Sequence, residues 1–163
     1  LVGLLRGQPE IATRLMIEIT ETVVLQDLDE SARFVAAVRD LGCGVALDDF
    51  GAGYTSFRNL QALAVDMVKI DGAFIKDLAN RPDNQLFIRT LLGLAKGFGL
   101  DTVAECVETE AEAAILRKEE VTFMQGYLYG RPELDRNAIA LPTPRLLQQP
   151  TRHAIANRAL SSR

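Results

Sequence analysis

The sequence predicts an α/β fold built on a parallel β-sheet, because short apolar runs alternate along the chain with longer amphipathic stretches. Five runs have the length and apolar character of buried strands: Leu15–Thr20, Gly44–Leu47, Asp66–Ile70, Asp101–Ala104 and Val121–Gln125. Strands that are apolar almost throughout, and that are separated by helices, are typical of parallel sheets covered on both faces.

The stretches between these runs carry helix signals. Asp29–Leu41 places its apolar residues on one face and is followed by Gly42, which favours a helix end. Asn84–Phe98 has a second apolar face of helical period. Thr109 and Glu112 have the spacing of a capping box, which predicts a helix start between the fourth and fifth strands.

The pattern weakens after Arg131-Pro132, where only a short helix around Leu134–Ala140 is predicted. We therefore expect residues 1–140 to form one folded unit and residues 141–163, which hold three prolines, to form a flexible tail.

The composition excludes several kinds of function. The 163 residues are 48% hydrophobic and carry a net charge of −4, and no basic patch or bilayer-length apolar run is present. We expect neither a nucleic-acid polymer partner nor membrane contact from this segment. With His153 as the only histidine, a His/Cys zinc site and a histidine-activated hydrolase are both disfavoured. Cys43 and Cys106 show no CxxC spacing, and we interpret both as small buried residues in a reducing cytoplasm.

Polar residues fall at or near the carboxyl ends of the five predicted strands. They are Glu18, Asp48, Lys69, Glu105 and Gln125. Strands of a parallel barrel share one rim at their carboxyl ends, so these side chains are expected to meet in one pocket. Burying several carboxylates together is costly unless cations neutralise them, and two divalent metals suit cleavage of a phosphodiester by water. The alternative is that most of these acids lie on a solvated surface.

The segment Asp48-Asp49-Phe50-Gly51-Ala52-Gly53-Tyr54 is the sharpest local signal. Adjacent carboxylates at a strand end can serve two metals, with Asp48 shared and Asp49 directed to the second. Gly51 and Gly53 permit the backbone angles of a tight loop. Acidic pairs also cap helices, and that structural interpretation stays open.

Five segments together resemble the successive motifs of the EAL family, in order and spacing, from roughly Leu15 to Pro132. They are Glu18–Glu21, Asp48–Ser56, Val68–Asp71, Val103–Glu108 and Gln125–Tyr127. The resemblance implies a (β/α)8 barrel of the TIM type, of which about the last five strands are present. It also implies a bacterial phosphodiesterase that hydrolyses cyclic-di-GMP to linear pGpG with two Mg2+ or Mn2+ ions. The alternatives are an inactive domain that binds cyclic-di-GMP as a receptor and an unrelated metal-dependent barrel enzyme.

The resemblance assigns a role to each matching residue. Glu18 ligates the first metal, Asp48 bridges both, and Asp49 binds the second. Glu105 binds or orients the second metal and its water. Lys69 holds the nucleophilic water and steadies the charge that grows on the phosphate.

Three further residues are expected to support these metal-binding residues and Lys69. Glu108 and Gln125 would do so by hydrogen bonds, and Glu21 would brace the Asp49–Ser56 loop, which the family links to dimerisation. Structural alternatives remain: Glu21 as a helix start, Glu108 as a charge at a helix N-terminus, Gln125 as a rim amide, and Lys69 as a surface lysine.

Two family features are missing, the glutamate of the Glu-Ala-Leu motif and a strand asparagine, both of which precede the Glu18 strand. We therefore expect the isolated chain to be inactive. Cys106 stands where the family usually has glycine. The resemblance further implies a homodimer, a cytoplasmic location, and neighbouring GGDEF or sensory domains.

Overall fold

The computed structural model describes residues 1–51 and 57–132, without the side chains of residues 57 and 58. Within this part of the chain, five strands form one sheet in the order β1-β2-β3-β4-β5, each parallel to the next. They are β1 (Met16–Thr20), β2 (Gly44–Phe50), β3 (Met67–Ile70), β4 (Asp101–Ala104) and β5 (Phe123–Met124). The predicted parallel sheet is confirmed.

Two short helices precede β1, α1 (Val2–Leu5) and α2 (Pro9–Ala12). Helices also occupy every connection between the strands: α3 (Glu21–Gln26), α4 (Leu28–Asp40), α5 (Phe57–Leu63), α6 (Gly72–Ile75), α7 (Pro82–Phe98) and α8 (Glu110–Lys118), with a 3₁₀ turn at Leu78–Asn80. The helices predicted at Asp29–Leu41 and Asn84–Phe98 are confirmed to within two residues at each end. The predicted capping box is also present, with the Thr109 side chain accepting from the Glu112 amide.

The core lies where the helices pack on the sheet. Helices α4 and α7 contact β2 and β4 respectively. Leu47 of β2 and Val68 of β3 are fully buried, as are Val38 of α4 and Ile88 of α7. Burial of this kind contributes about 25 cal/mol for each Å² of apolar surface removed from water, so the apolar faces anchor each strand in the sheet.

The strands end together, which sets the position of the polar residues. Ile70 at the end of β3 pairs with Phe50 of β2 and with Ala104 of β4, and Ala104 pairs in turn with Met124 of β5. The register of β2 shifts between Leu47 and Phe50. The second strand runs three residues beyond its predicted end at Leu47, so it contains both Asp48 and Asp49.

The sheet is open among the described residues, because β1 and β5 each pair on one side only. Met16 and Phe123 on these edge strands are exposed. The predicted Leu134–Ala140 helix, the tail at 141–163 and residues 52–56 of the Asp49–Ser56 loop lie outside the described residues.

Two further observations bear on the sequence predictions. Cys43 is buried as expected, but Cys106 is exposed, so the prediction of two buried cysteines is wrong for Cys106. Cys106 has a positive φ of 55° in the loop after β4, outside the apolar strand that precedes it. Within the described part of the chain, no helix combines the length and apolar character that crossing a bilayer requires.

Candidate active site

Lys69 stands at the centre of the candidate site. It is the third residue of β3, and only 8% of its surface is exposed. Its ammonium nitrogen lies 3.0 Å from Glu18 Oε2, 2.8 Å from Asp48 Oδ1 and 2.9 Å from Glu105 Oε1. Carboxylates from β1, β2 and the loop after β4 therefore converge on one cation, and the interpretation of Lys69 as a surface lysine is excluded.

The three carboxylates keep Lys69 charged. Burial alone would lower the pKa of this amine, but contacts with Asp48, Glu105 and Glu18 outweigh burial and raise the pKa above its ordinary value. Lys69 is therefore an ammonium throughout the physiological pH range, and it donates but does not accept protons there.

Asp48, Asp49 and Glu105 form a compact carboxylate cluster, in which one oxygen from each lies within 4.8 Å of the others. Consecutive residues of a regular strand point to opposite faces. Asp49 has a left-handed backbone with φ of 55°, which breaks this alternation and lets both aspartates reach Glu105. Aspartate is one of the few residues that tolerate this conformation.

This cluster is short of positive charge. Burial, followed by repulsion from Asp48 and Asp71, raises the pKa of Asp49 above its ordinary value, although Lys69 opposes this. Asp48 Oδ1 is fully buried and lies 2.8 Å from the Lys69 ammonium nitrogen. A buried carboxylate oxygen that shares one ammonium with two further carboxylates fits a divalent-cation site, for which oxygen ligands are preferred.

Glu18 lies beside the cluster rather than within it. It is the middle residue of β1, its side chain is 49% exposed, and Lys69 links it to Asp48 and Glu105. As the first strand of the described sheet, β1 leaves Glu18 open on its outer side.

Glu21 begins α3 directly after β1 and is almost fully buried. Its Oε2 accepts a hydrogen bond of 3.2 Å from the Gly51 amide, at the start of the loop that follows β2. The structural expectation of a helix start is thus correct. The side chain also contacts Gly51, the last described residue of the Asp49–Ser56 loop that it was predicted to brace.

Glu108 and Gln125 have exposed side chains, for which the described residues give no hydrogen bond. Gln125 contributes its backbone instead: its carbonyl accepts from the Val107 amide at 3.0 Å, and its amide donates to the Ala104 carbonyl at 2.9 Å. The predicted supporting roles of these two side chains stay predictions.

An open cavity of about 340 Å³ adjoins the cluster. Asp49, Glu105 and Glu108 line it together with two acids that sequence reasoning did not assign to the site, Asp71 and Glu112. Asp71 follows Lys69 by two residues and caps α6 through a 2.7 Å bond from the Ala73 amide. The capping-box pattern drew attention to Glu112, but its position beside the cavity depends on tertiary contacts.

A comparison with models of known protein families identifies the family of this chain. Residues 2–132 match the family model described as the EAL domain. The chain belongs to the EAL domain family. Its five parallel strands are consecutive strands of an EAL-type (β/α)8 barrel, and the predicted family and fold are confirmed.

Several curated relatives share this EAL domain. The chain is 42% identical over 121 residues to the uncharacterized protein Rv1354c of Mycobacterium tuberculosis strain H37Rv, covering 74% of this chain and 19% of that protein. It is 38% identical over 119 residues to the probable cyclic di-GMP phosphodiesterase PdeA of Escherichia coli K12, covering 73% of this chain and 16% of PdeA. A bifunctional diguanylate cyclase/cyclic di-GMP phosphodiesterase, MucR of Pseudomonas aeruginosa, is 36% identical over 120 residues, covering 74% of this chain and 18% of MucR. The chain thus spans less than a fifth of the length of these proteins.

Two of the solved structures similar to this chain are complexes with the cyclic dinucleotide. A PaMucR phosphodiesterase in complex with c-di-GMP superposes with a TM-score of 0.70 at 36% identity, covering 74% of this chain and 49% of that one. The manganese/cy-diGMP complex of Klebsiella pneumoniae BlrP1 gives a TM-score of 0.70 at 31% identity, covering 74% of this chain and 31% of that one.

Proposed function

We propose that this EAL domain takes part in the metal-dependent hydrolysis of cyclic-di-GMP to linear pGpG. The observation that carries the proposal is the cluster of Asp48, Asp49 and Glu105, whose carboxylate oxygens lie within 4.8 Å of one another with Lys69 as the cation beside them. Relatives named as cyclic di-GMP phosphodiesterases and a neighbour solved with manganese and the dinucleotide support the same chemistry.

The donor set suits two Mg2+ or Mn2+ ions. Asp48 would contact both ions, Asp49 and Glu105 would hold the second, and Glu18 would hold the first. Such cations lower the pKa of water and absorb negative charge on a reacting phosphate. These oxygens come from different strands and from the loop after β4, which meet on one side of the sheet.

Lys69 and the surrounding backbone would orient the reaction. The Lys69 ammonium retains its proton at Nζ and donates hydrogen bonds, so it would fix the attacking water and an oxygen of the phosphate rather than serve as a base. Glu21 would hold the loop after β2 through the Gly51 amide and so keep Asp49 in its left-handed conformation.

The proposal is tested by turnover of cyclic-di-GMP with Mn2+ in the full-length protein, with pGpG measured by chromatography. Asp48→Asn and Glu105→Gln should each abolish turnover, because each removes a charge from the cluster. Glu120→Gln is the matched control, since Glu120 pairs with Lys96 on the surface away from the cluster, and it should retain the wild-type rate.

Two outcomes would count against the proposal. Unchanged rates in both cluster variants would mean that the site lies elsewhere. Tight binding of cyclic-di-GMP by the wild-type protein with no turnover would favour the receptor function instead.

The remaining predictions about partners go with this proposal. Assembly as a homodimer through the Asp49–Ser56 loop, a neighbouring GGDEF or sensory domain, and a cytoplasmic location stay predictions. Size measurement of the full-length protein with and without Mn2+ tests the first of them.

A further inference from the structure

Glu112 is a buried acid that connects two separate parts of the chain. Only 4% of its surface is exposed, yet it lines the cavity beside the carboxylate cluster. Its Oε2 accepts from the amides of Glu108 at 3.0 Å and Thr109 at 2.9 Å, and its Oε1 accepts from the Asp77 amide at 2.9 Å. These three bonds hold the carboxylate in one orientation.

The two segments that Glu112 joins both line the cavity. Glu108 and Thr109 end the loop after β4, which begins with Glu105. Asp77 follows α6, whose segment brings Asp71 and Lys76 to the same cavity. Because Asp77 has a left-handed φ of 58°, it breaks the helical path between α6 and the 3₁₀ turn. Its amide is paired by Glu112 instead.

The bond to Asp77 goes beyond helix capping. A capping box requires only that the glutamate accept from the backbone at the helix start, which Oε2 does. Oε1 reaches a residue 35 positions earlier in the chain, and that bond contributes nothing to the cap. A buried carboxylate that accepts three amide hydrogen bonds is a rigid connection, because breaking any of them leaves a buried polar group unpaired.

We infer that Glu112 is a positioning residue for the divalent-cation site, an inference that rests on the proposed function. By joining the loop after β4 to the segment after α6, it fixes the place of Glu105 relative to Asp48 and Asp49. Both of its carboxylate oxygens already accept from backbone amides, so its proposed role is to position rather than to ligate. Its contribution is to keep the third carboxylate of the cluster within reach of the other two.

The test measures Mn2+ affinity of the full-length protein by titration calorimetry without substrate, at a temperature where circular dichroism shows each variant folded. Glu112→Ala removes all three acceptors and should weaken Mn2+ binding about tenfold or more, the range found for residues that orient metal ligands. Glu112→Gln keeps one acceptor oxygen and should lose less affinity. Glu110→Ala, on the same helix but paired with Arg117 on the surface, should bind as the wild type does.

The outcomes separate this inference from the proposed function. A folded Glu112→Ala variant with wild-type Mn2+ affinity would overturn the inference and leave the proposed function standing. If Glu112→Ala does not fold, Glu112→Gln takes its place, and unchanged Mn2+ affinity in that variant is the overturning result. A wild-type protein that fails to bind Mn2+ would overturn both.

Discussion

Replacing Gly72 by alanine would place a Cβ 2.7 Å from both Cβ and Sγ of Cys106, closer than real side chains approach. Sγ can rotate away, but the Cβ of Cys106 is fixed to a backbone with φ of 55°. Overpacking of this kind costs about 1–3 kcal/mol. Loss of glycine from the unfolded chain returns about 0.4–1 kcal/mol. The free energy of unfolding should therefore fall by roughly 1–2 kcal/mol in Gly72→Ala.

Removing the Cys106 side chain should reverse the sign of that effect. In a Cys106→Gly background the nearest described neighbour of the added Cβ is the Glu105 carbonyl at 3.8 Å, an ordinary contact. There Gly72→Ala should stabilise by about 0.5 kcal/mol, through the unfolded chain. Cys106→Gly alone should change little, because relief of the left-handed cysteine, about 1 kcal/mol, is offset by the added freedom of glycine when unfolded.

The four proteins of this double-mutant cycle can be compared by urea unfolding followed by circular dichroism, since the chain has no tryptophan. The expected coupling energy is about 2 kcal/mol, within the range for contacting residues. If Gly72→Ala costs the same in both backgrounds, the contact between Gly72 and Cys106 does not limit packing at the cavity wall, and the reasoning fails.

Three further predictions concern charge and the open sheet. Lys69→Met should lower the free energy of unfolding in EDTA by about 3 kcal/mol, because three carboxylates lose their cation, and Mn2+ should restore part of this loss. Lys96→Met, at an exposed lysine, should change the free energy of unfolding by under about 0.5 kcal/mol. Equal effects of the two substitutions would contradict the account. Burial alone would raise the pKa of Glu112, but backbone hydrogen bonds lower this pKa below its ordinary 4.5 in the folded protein. The ionised Glu112 therefore contributes its full stabilisation of the fold above pH 4.5, and this contribution is lost as the pH falls through the lower pKa of the folded state. Acid titration of unfolding should show a smaller loss of stability in Glu112→Gln than in the wild type, and parallel curves would refute this. The isolated 163-residue chain should show no turnover of cyclic-di-GMP, because among the described residues the sheet is open at β1 beside Glu18. Robust hydrolysis would contradict the prediction.

The sequence predicted the sheet and the two long helices because their signals are local. The apolar run at Asp101–Ala104 and the helical periodicity of Pro82–Phe98 can be recognised from neighbouring residues alone, without knowledge of tertiary contacts. Short helices such as Gly72–Ile75 have too few turns to show a period, and they were missed. The predicted second strand ended too early because Asp48 and Asp49 interrupt its apolar pattern before the buried Phe50.

The site was predicted in part for the same reason. Glu18, Asp48 and Glu105 could be brought together from the rule that parallel strands end at one rim, and the structure joins them through Lys69. The left-handed turn at Asp49 and the exposure of Cys106 depend on backbone angles that composition does not encode. The second bond of Glu112 depends on a contact across 35 residues, for which the capping pattern gives no signal.

The central claim is that Asp48, Asp49 and Glu105 hold divalent cations together. Anomalous diffraction from crystals of the full-length protein grown with Mn2+ and cyclic-di-GMP measures this directly. We predict manganese peaks bonded to carboxylate oxygens of these three residues, with Glu18 on the first ion. Bound dinucleotide with no manganese between these side chains, or with manganese only elsewhere, would contradict the account.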